Sequence, residues 1–262
     1  MNDLAILVLS CDKYSGLWDL FFSRFHKFWG DCKLPLYLLS NHKIFKSKKV
    51  VTICTGEDKD WSSNLIYALN KIDAENILIM IEDAPLDGFV SDLDFLALYD
   101  RYVMESMNYL NLKALPLPPK GIDPQLGIIP QGAHYRASLV MAIWNKEVLL
   151  DLLVVGESAW QFEVRGSERA DKYNNFYSVR IKFFTWIHCV IQGKLDLRAA
   201  SALKNSGELD TVDFPKMTIS QYCHARYLEF RGSIVNIIIP FRWRRRVRNF
   251  YFRKFKKNSK LV

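Results

Sequence analysis

From Asn76 to Pro85 the chain reads Asn-Ile-Leu-Ile-Met-Ile-Glu-Asp-Ala-Pro: five apolar residues in a row that stop at two adjacent carboxylates. A run this short, uniformly apolar and closed by turn-forming residues, reads as a β-strand buried on both faces. Such strands belong to sheets covered by helices on each side, so this one segment points to an α/β fold. Glu82 and Asp83 then fall at the carboxyl end of the strand, where open α/β sheets bind their ligands. Pro85 and Asp87-Gly88 begin a turn at the same place, and acids are common in turns. Turn formation does not require two like charges side by side, however, and the pair is read as a site.

The neighbouring segments support this class. Residues 4–9 form a first apolar strand, Leu34–Leu39 a second and Val50–Cys54 a third. Leu17–Trp29 carries apolar residues at helical spacing, and Trp61–Lys71 reads as a helix opened by Asp58, Asp60 and Ser62. Strands alternating with helices predict a mixed, mainly parallel sheet flanked by helices. Further on, Phe89–Leu110 is read as a helix capped by Ser91 or Asp92, and the proline-rich 115–124 segment as an extended loop walling a cleft. Ser138–Val155 is read as an amphipathic helix, and 175–191 as one or two strands. Gly193, Gly207 and Pro215 break up residues 193–220, where no element is assigned. One domain over residues 1–235 and a tail over 236–262 is the expected organisation.

Charge sets the tail apart. The net charge is +8, yet residues 241–262 hold six Arg, four Lys and no acid, leaving 26 basic against 28 acidic residues in the body. Aromatic residues interleave with those cations from Phe241 to Lys257, a pattern suited to the headgroup layer of an anionic membrane. The same composition would suit nucleic acid, but a body of −2 with no nucleic-acid motif argues against that partner. Liposome flotation against a nucleic-acid shift assay at physiological salt separates the two. Five scattered cysteines without a Cys-x-x-Cys pair argue against a disulfide framework and for a reducing compartment. The amino terminus lacks the basic flank and length of a signal peptide, and Ile234–Pro240 is far short of the roughly 20 residues needed to cross a bilayer. A cytoplasmic protein, peripheral at the inner face of the cell membrane, is expected.

Chemistry concentrates in two further places. Ser10-Cys11-Asp12-Lys13-Tyr14 follows the first strand, and Trp160-Gln161-Phe162-Glu163 with Arg165-Gly166-Ser167 follows the 138–155 segment. Glu163, partly desolvated by Trp160 and Phe162, suits a general base, with Glu157 and Asp171 the next candidates.

Taken in order, Leu9-Ser10-Cys11-Asp12-Lys13-Tyr14, Trp61-Ser62-Ser63-Asn64-Leu65, Ile79-Met80-Ile81-Glu82-Asp83, Tyr135-Arg136-Ala137-Ser138-Leu139 with Ala142-Ile143-Trp144, and Gly156-Glu157-Ser158-Ala159-Trp160-Gln161-Phe162-Glu163 with Gly166-Ser167 resemble the bacterial glycosyltransferases that build lipopolysaccharide O-antigen and capsule repeat units. The resemblance spans roughly residues 4–170. It implies a GT-A type fold and transfer of a sugar from a nucleotide-sugar donor to a lipid-linked surface glycan. Donor binding would fall to Ser10, Cys11, Asp12, Tyr14, Trp61, Asn64, Glu82 and Asp83, and acceptor binding to His134, Tyr135, Trp160 and Arg165. The family's Asp-x-Asp metal motif is absent here, since Glu82-Asp83 stands in its place. Asp83 would then be the ligand of any Mn²⁺ or Mg²⁺, with Lys13, Arg136 or Arg165 as alternative partners of the phosphates. His188 and His224 lie late in the chain, where such enzymes often add a metal-ligating histidine. With Glu163 as base the anomeric configuration would invert. The rival reading is a non-catalytic nucleotide- or carbohydrate-binding module, for which aromatic platforms suffice and the acid pair is unnecessary.

Overall fold

In the computed structural model, which describes residues 3–121 and 123–238, an eight-stranded mixed sheet forms the centre. Its strands are β1 (Leu4–Leu9), β2 (Leu36–Ser40), β3 (Val51–Cys54), β4 (Asn76–Ile81), β5 (Tyr109–Asn111), β6 (Leu126–Ile128), β7 (Ala142–Asn145) and β8 (Phe176–Val179), and they lie in the order β3-β2-β1-β4-β7-β5-β8-β6. The first four run parallel to one another. β7 inserts antiparallel between β4 and β5, β5 and β8 are parallel, and β6 closes the edge antiparallel. The expected α/β class and mainly parallel amino-terminal half are both present.

Helices cover the two faces because each central strand is apolar on both sides. In β1, Leu4, Ile6 and Val8 pack beneath α1 (Trp18–Phe28) and α3 (Asp92–Met104), against Phe21, Phe25, Phe95 and Tyr102. Ala5, Leu7 and Leu9 point the other way, toward α2 (Trp61–Leu69) and α4 (Lys146–Leu152), against Leu65, Leu69 and Leu149. The period of two along one strand therefore feeds two cores, as a strand buried on both faces requires.

Local signals set the helix starts. Ser91 caps α3 by accepting from the Asp94 N–H at 3.2 Å, and Asp60 caps α2 by accepting from Ser63 N–H at 2.9 Å. The Asp60 carboxylate also takes the Ser63 hydroxyl at 2.6 Å and the Gly156 N–H at 3.0 Å, tying α2 to the segment that carries Glu163. Asp60→Ala is expected to cost about 1 kcal/mol, read as a lower urea midpoint at unchanged slope. An unchanged midpoint would remove the cap from this account.

Two expected helices are shorter than the sequence suggested. Ser138–Val155 is not one helix: Ala142–Asn145 is the buried strand β7, and α4 begins only at Lys146, where the Asn145 side chain accepts from Val148 N–H at 3.1 Å. Likewise the helix read over Phe89–Leu110 ends at Met104, and Tyr109–Asn111 enters the sheet as β5. In both places cross-strand pairing supplies partners that no local window sees.

After β7 and α4, the short helices α5 (Ala159–Gln161) and α6 (Ser167–Arg169) flank a π-helical turn at Phe162–Gly166. Beyond β8 a hairpin forms from β9 (Val190–Ile191), at the end of the 175–191 segment read as one or two strands, and β10 (Lys194–Leu195), which opens the unassigned 193–220 region and leads into α7 (Leu197–Asn205). Val190, Leu195, Ala199 and Leu203 pack on Leu17 and Leu20, fastening this unit to the start of α1. Gly16 is required there, since a Cβ would sit 2.0 Å from the Asp213 carbonyl oxygen. The last described helix is α8 (Ile219–Ile238). Among the described residues no helix is long and apolar enough to cross a membrane. The basic segment 241–262 lies outside the described residues.

Candidate active site

The strand order creates the site. From β1 the chain moves outward through β2 and β3, then returns to the opposite side of β1 for β4, so connections leave the β1–β4 junction in both directions. A crevice opens beyond the carboxyl ends of two such strands. Leu9 pairs in register with Ile81, which sets Ser10 beside Glu82. β7 enters antiparallel, with Ala142 opposite Ile79, and so delivers the preceding Leu139 and Val140 to the same end of the sheet. The cavity there has a volume of about 530 Å³, bounded by Ser10, Cys11 and Tyr14, by Asp58–Trp61 and Asn64, by Glu82 and Asp83, and by Trp160 and Glu163.

Its floor is acidic and poorly solvated. Glu82 is only 8% exposed, and burial, reinforced by the Asp83 charge beside it, pushes its carboxyl up to about 8. A hydrogen bond from Ser10 offsets part of that rise. Asp83 is also raised, by burial first, with His188 pulling the other way. His188 reaches Asp83 because residues 186–189 run alongside the strand exit, with Ile187 N–H donating to Pro85 O at 3.0 Å and Cys189 N–H to Asp83 O at 2.8 Å. Asp83 Oδ1 is buried with no hydrogen-bond partner among the described residues. No three His, Cys, Asp or Glu side chains among those residues converge closely enough to hold a metal ion alone. What the cavity floor offers is two carboxyl groups, Glu82 and Asp83, a donor type that holds Mg²⁺ only together with other ligands such as substrate phosphates.

Across the cavity, Glu163 sits in the first turn of the π-helical segment. Turns of this kind are rare and occur often at functional sites. Glu163 Oε1 accepts from the Ser138 hydroxyl at 2.9 Å and from Leu139 N–H at 3.2 Å, while Trp160, about half exposed, stands next to it on the rim. A carboxylate held on one oxygen beside an open, aromatic-edged cavity can take a proton from a hydroxyl bound there.

Of the residues singled out from sequence, Ser10, Cys11, Tyr14, Trp61, Asn64, Glu82, Asp83, Trp160 and Glu163 share this cavity. Asp12 does not face it: its carboxylate accepts from the backbone N–H groups of Asn41, His42 and Lys43 at 3.0–3.1 Å, and so pins the turn after β2. His134 and Tyr135 are outside the lining, their rings 3.9 Å apart in the loop that Asp171 fixes through Gly132 N–H. Arg165 points outward, 3.6 Å from Glu157. Arg136 cannot meet a phosphate here, being buried, donating to the Ala170 and Tyr173 carbonyls, and stacked over Phe176. Glu157 is likewise structural, held by both terminal nitrogens of Arg169 at 3.0 and 2.6 Å. Sequence reasoning missed the rim residue Lys59, which had no pattern to mark it, and Lys113, which reaches Glu163 only through a third residue.

No protein-family model matches the sequence, and no curated protein matches it. Among solved structures it is similar to residues 1–349 of S. aureus TarS in complex with UDP-GlcNAc (10% identity, TM-score 0.47, covering 70% of this chain and 57% of that one). It is also similar to a UDP-glucose pyrophosphorylase complexed with UDP-glucose (6% identity, TM-score 0.48, covering 72% and 94%). A third is a cytidylyltransferase from Leptospira borgpetersenii serovar Hardjo-bovis (11% identity, TM-score 0.44, covering 84% and 99%). The chain thus spans little more than half the length of the TarS fragment.

Proposed function

We propose that this chain is a glycosyltransferase that moves a sugar from a nucleotide-sugar donor to a lipid-linked surface-glycan acceptor, with inversion and with Glu163 as general base. One observation carries the reading: at the β1–β4 junction a single cavity holds an acid pair on its floor and a separately anchored carboxylate on its opposite wall. A binder of sugar or nucleotide has no need of that division of acids.

The donor's nucleotide lies against Ser10, Cys11, Tyr14 and the start of α2, with Trp61 and Asn64 as its partners. The acceptor hydroxyl, resting against Trp160, gives its proton to the Glu163 carboxylate while its oxygen bonds to the anomeric carbon from the opposite face. The bond from that carbon to the phosphate oxygen breaks, and the nucleotide leaves with the electron pair. Even with Glu82 kept protonated by burial, the lining carboxyl groups of Asp58, Asp60, Asp83 and Glu163 outnumber the one lining cation, Lys59, so a bare diphosphate is repelled. Asp83, through its unpartnered oxygen, and Glu82 are the residues that would hold Mn²⁺ or Mg²⁺ with the diphosphate. When bound, the cation supplies neutralisation of the phosphate charge.

A lipid-linked acceptor fits the carboxyl-terminal features. On α8, Ile219, Tyr227 and Phe230 are exposed at helical spacing, and the chain beyond carries ten cations in residues 241–262. That segment would hold the enzyme at the inner face of the membrane, as a peripheral protein.

A thermal-shift screen with UDP, GDP, CMP and TDP, each with and without Mn²⁺, tests donor and metal together. One nucleotide is expected to raise the melting temperature, and to do so more strongly with Mn²⁺. At a ligand concentration 100 times Kd the stabilisation is about 2.7 kcal/mol. Absence of any shift across the panel would overturn the reading.

A further inference from the structure

Just past β5, the Lys113 side chain turns inward and donates to the Ser138 hydroxyl at 2.7 Å; that hydroxyl donates to Glu163 Oε1 at 2.9 Å. The three groups form one line from a partly buried ammonium to the candidate base. Lys113 is well placed to stay fixed: its own N–H donates to Asn111 Oδ1 at 2.8 Å, and Asn111 donates in turn to the Tyr109 hydroxyl at 2.8 Å. The same hydroxyl accepts from Ser138 N–H at 3.2 Å, so the end of β5 and residue 138 make one hydrogen-bonded block.

Burying an ammonium is costly, and burial lowers the pKa of Lys113 while the Glu163 charge opposes that shift. A hydroxyl stands between the lysine and the carboxylate. That hydroxyl and Leu139 N–H both engage Oε1, and among the described residues no hydrogen bond engages Oε2.

Resting on the function proposed above, we propose that Lys113, acting through Ser138, is a positioning residue for Glu163: it holds Oε1 and leaves Oε2 to the acceptor hydroxyl. Acidic groups surround the candidate base. Glu82 and Asp83 face Glu163 from the end of β4, and Asp58 and Asp60, with exposed Lys59, face it from the start of α2. On its own segment Arg165 is drawn to Glu157, and on β5 Tyr109 is neutral, its hydroxyl raised by burial. Lys113, partly buried, is the cation that reaches Glu163 through Ser138.

The test compares Lys113→Met, Lys113→Arg and Ser138→Ala with the wild type in kcat and donor KM. Lys113→Met is expected to lower kcat about tenfold, with donor KM changed less than about twofold. Lys113→Arg should restore most of the loss, since it keeps the cation and the donor, and Ser138→Ala should lower kcat likewise. A second readout needs no turnover: the ¹³C chemical shift of the Glu163 carboxyl in the donor-free protein at one fixed pH, which should move in both Lys113→Met and Ser138→Ala. An unmoved shift in a folded variant overturns this proposal. A wild type that transfers no sugar from any donor while the NMR shift changes persist would instead overturn the function and leave the positioning intact.

Discussion

Glu163→Gln is expected to lower kcat by about two to four orders of magnitude, the usual contribution of a general base, while donor KM stays within about threefold. The amide has the shape of the carboxylate, and its oxygen can still accept from the Ser138 hydroxyl and Leu139 N–H, so the π-helical turn and the wall it forms should survive. Only the capacity to take a proton is lost. A selective fall in kcat is what distinguishes a base from a residue that merely lines the cavity, whose loss would appear in KM. Single-turnover measurements at saturating donor and acceptor give the comparison, and wild-type rates in the variant would remove Glu163 from the reaction. NMR of the product anomer checks the stereochemistry: an inverted centre agrees with direct attack assisted by one base.

Glu82→Gln is expected to stabilise the protein in alkaline, metal-free buffer. Folding moves the Glu82 carboxyl from its ordinary 4.5 up to about 8, chiefly through burial and then through the Asp83 charge. Between those values the folded protein keeps a proton that the unfolded chain has released, so stability falls as pH rises from about 4.5 to 8, and levels off above. Each unit of the gap is worth about 1.4 kcal/mol, which makes the total a few kcal/mol. Glutamine is neutral at every pH and escapes this loss. Thermal unfolding at several pH values should show the wild type melting progressively lower toward pH 8, and the variant holding a melting temperature about 5–10 °C higher there. Parallel pH curves for the two proteins would mean that Glu82 ionises freely in the folded state. A cation at the site should narrow the gap by stabilising the wild-type carboxylate.

Much of the amino-terminal half was legible because its signals are local. The runs at 4–9 and 77–81 are uniformly apolar, and Asp60 and Ser91 stand where helix caps stand, so those elements lie within a few residues of where patterning placed them. β7 was not legible: Ala142–Asn145 is only four residues long, and the helical spacing of Leu139, Ala142, Ile143, Leu149, Leu150 and Leu153 runs straight through it. β5, with three residues, was absorbed into the preceding helix for the same reason. The site divides along similar lines. Glu82, Asp83 and Ser10 could be placed from sequence because a strand end is a property of a few adjacent residues. Asp12 looked equally suitable, yet its carboxylate is consumed by the backbone of residues 41–43, about thirty positions away.

By itself the sequence determined that alternating apolar strands and amphipathic helices must form a covered sheet, and that two acids must stand at the exit of a buried strand, since burial and periodicity are written in neighbouring residues. Only the tertiary structure decided that β7 enters antiparallel beside β4, and that Glu163 therefore faces the acid pair across one cavity with Lys113 behind it. Those relations depend on pairing between segments as much as about seventy residues apart, and loop closure and cross-strand hydrogen bonds select them without leaving a pattern in any local stretch of sequence.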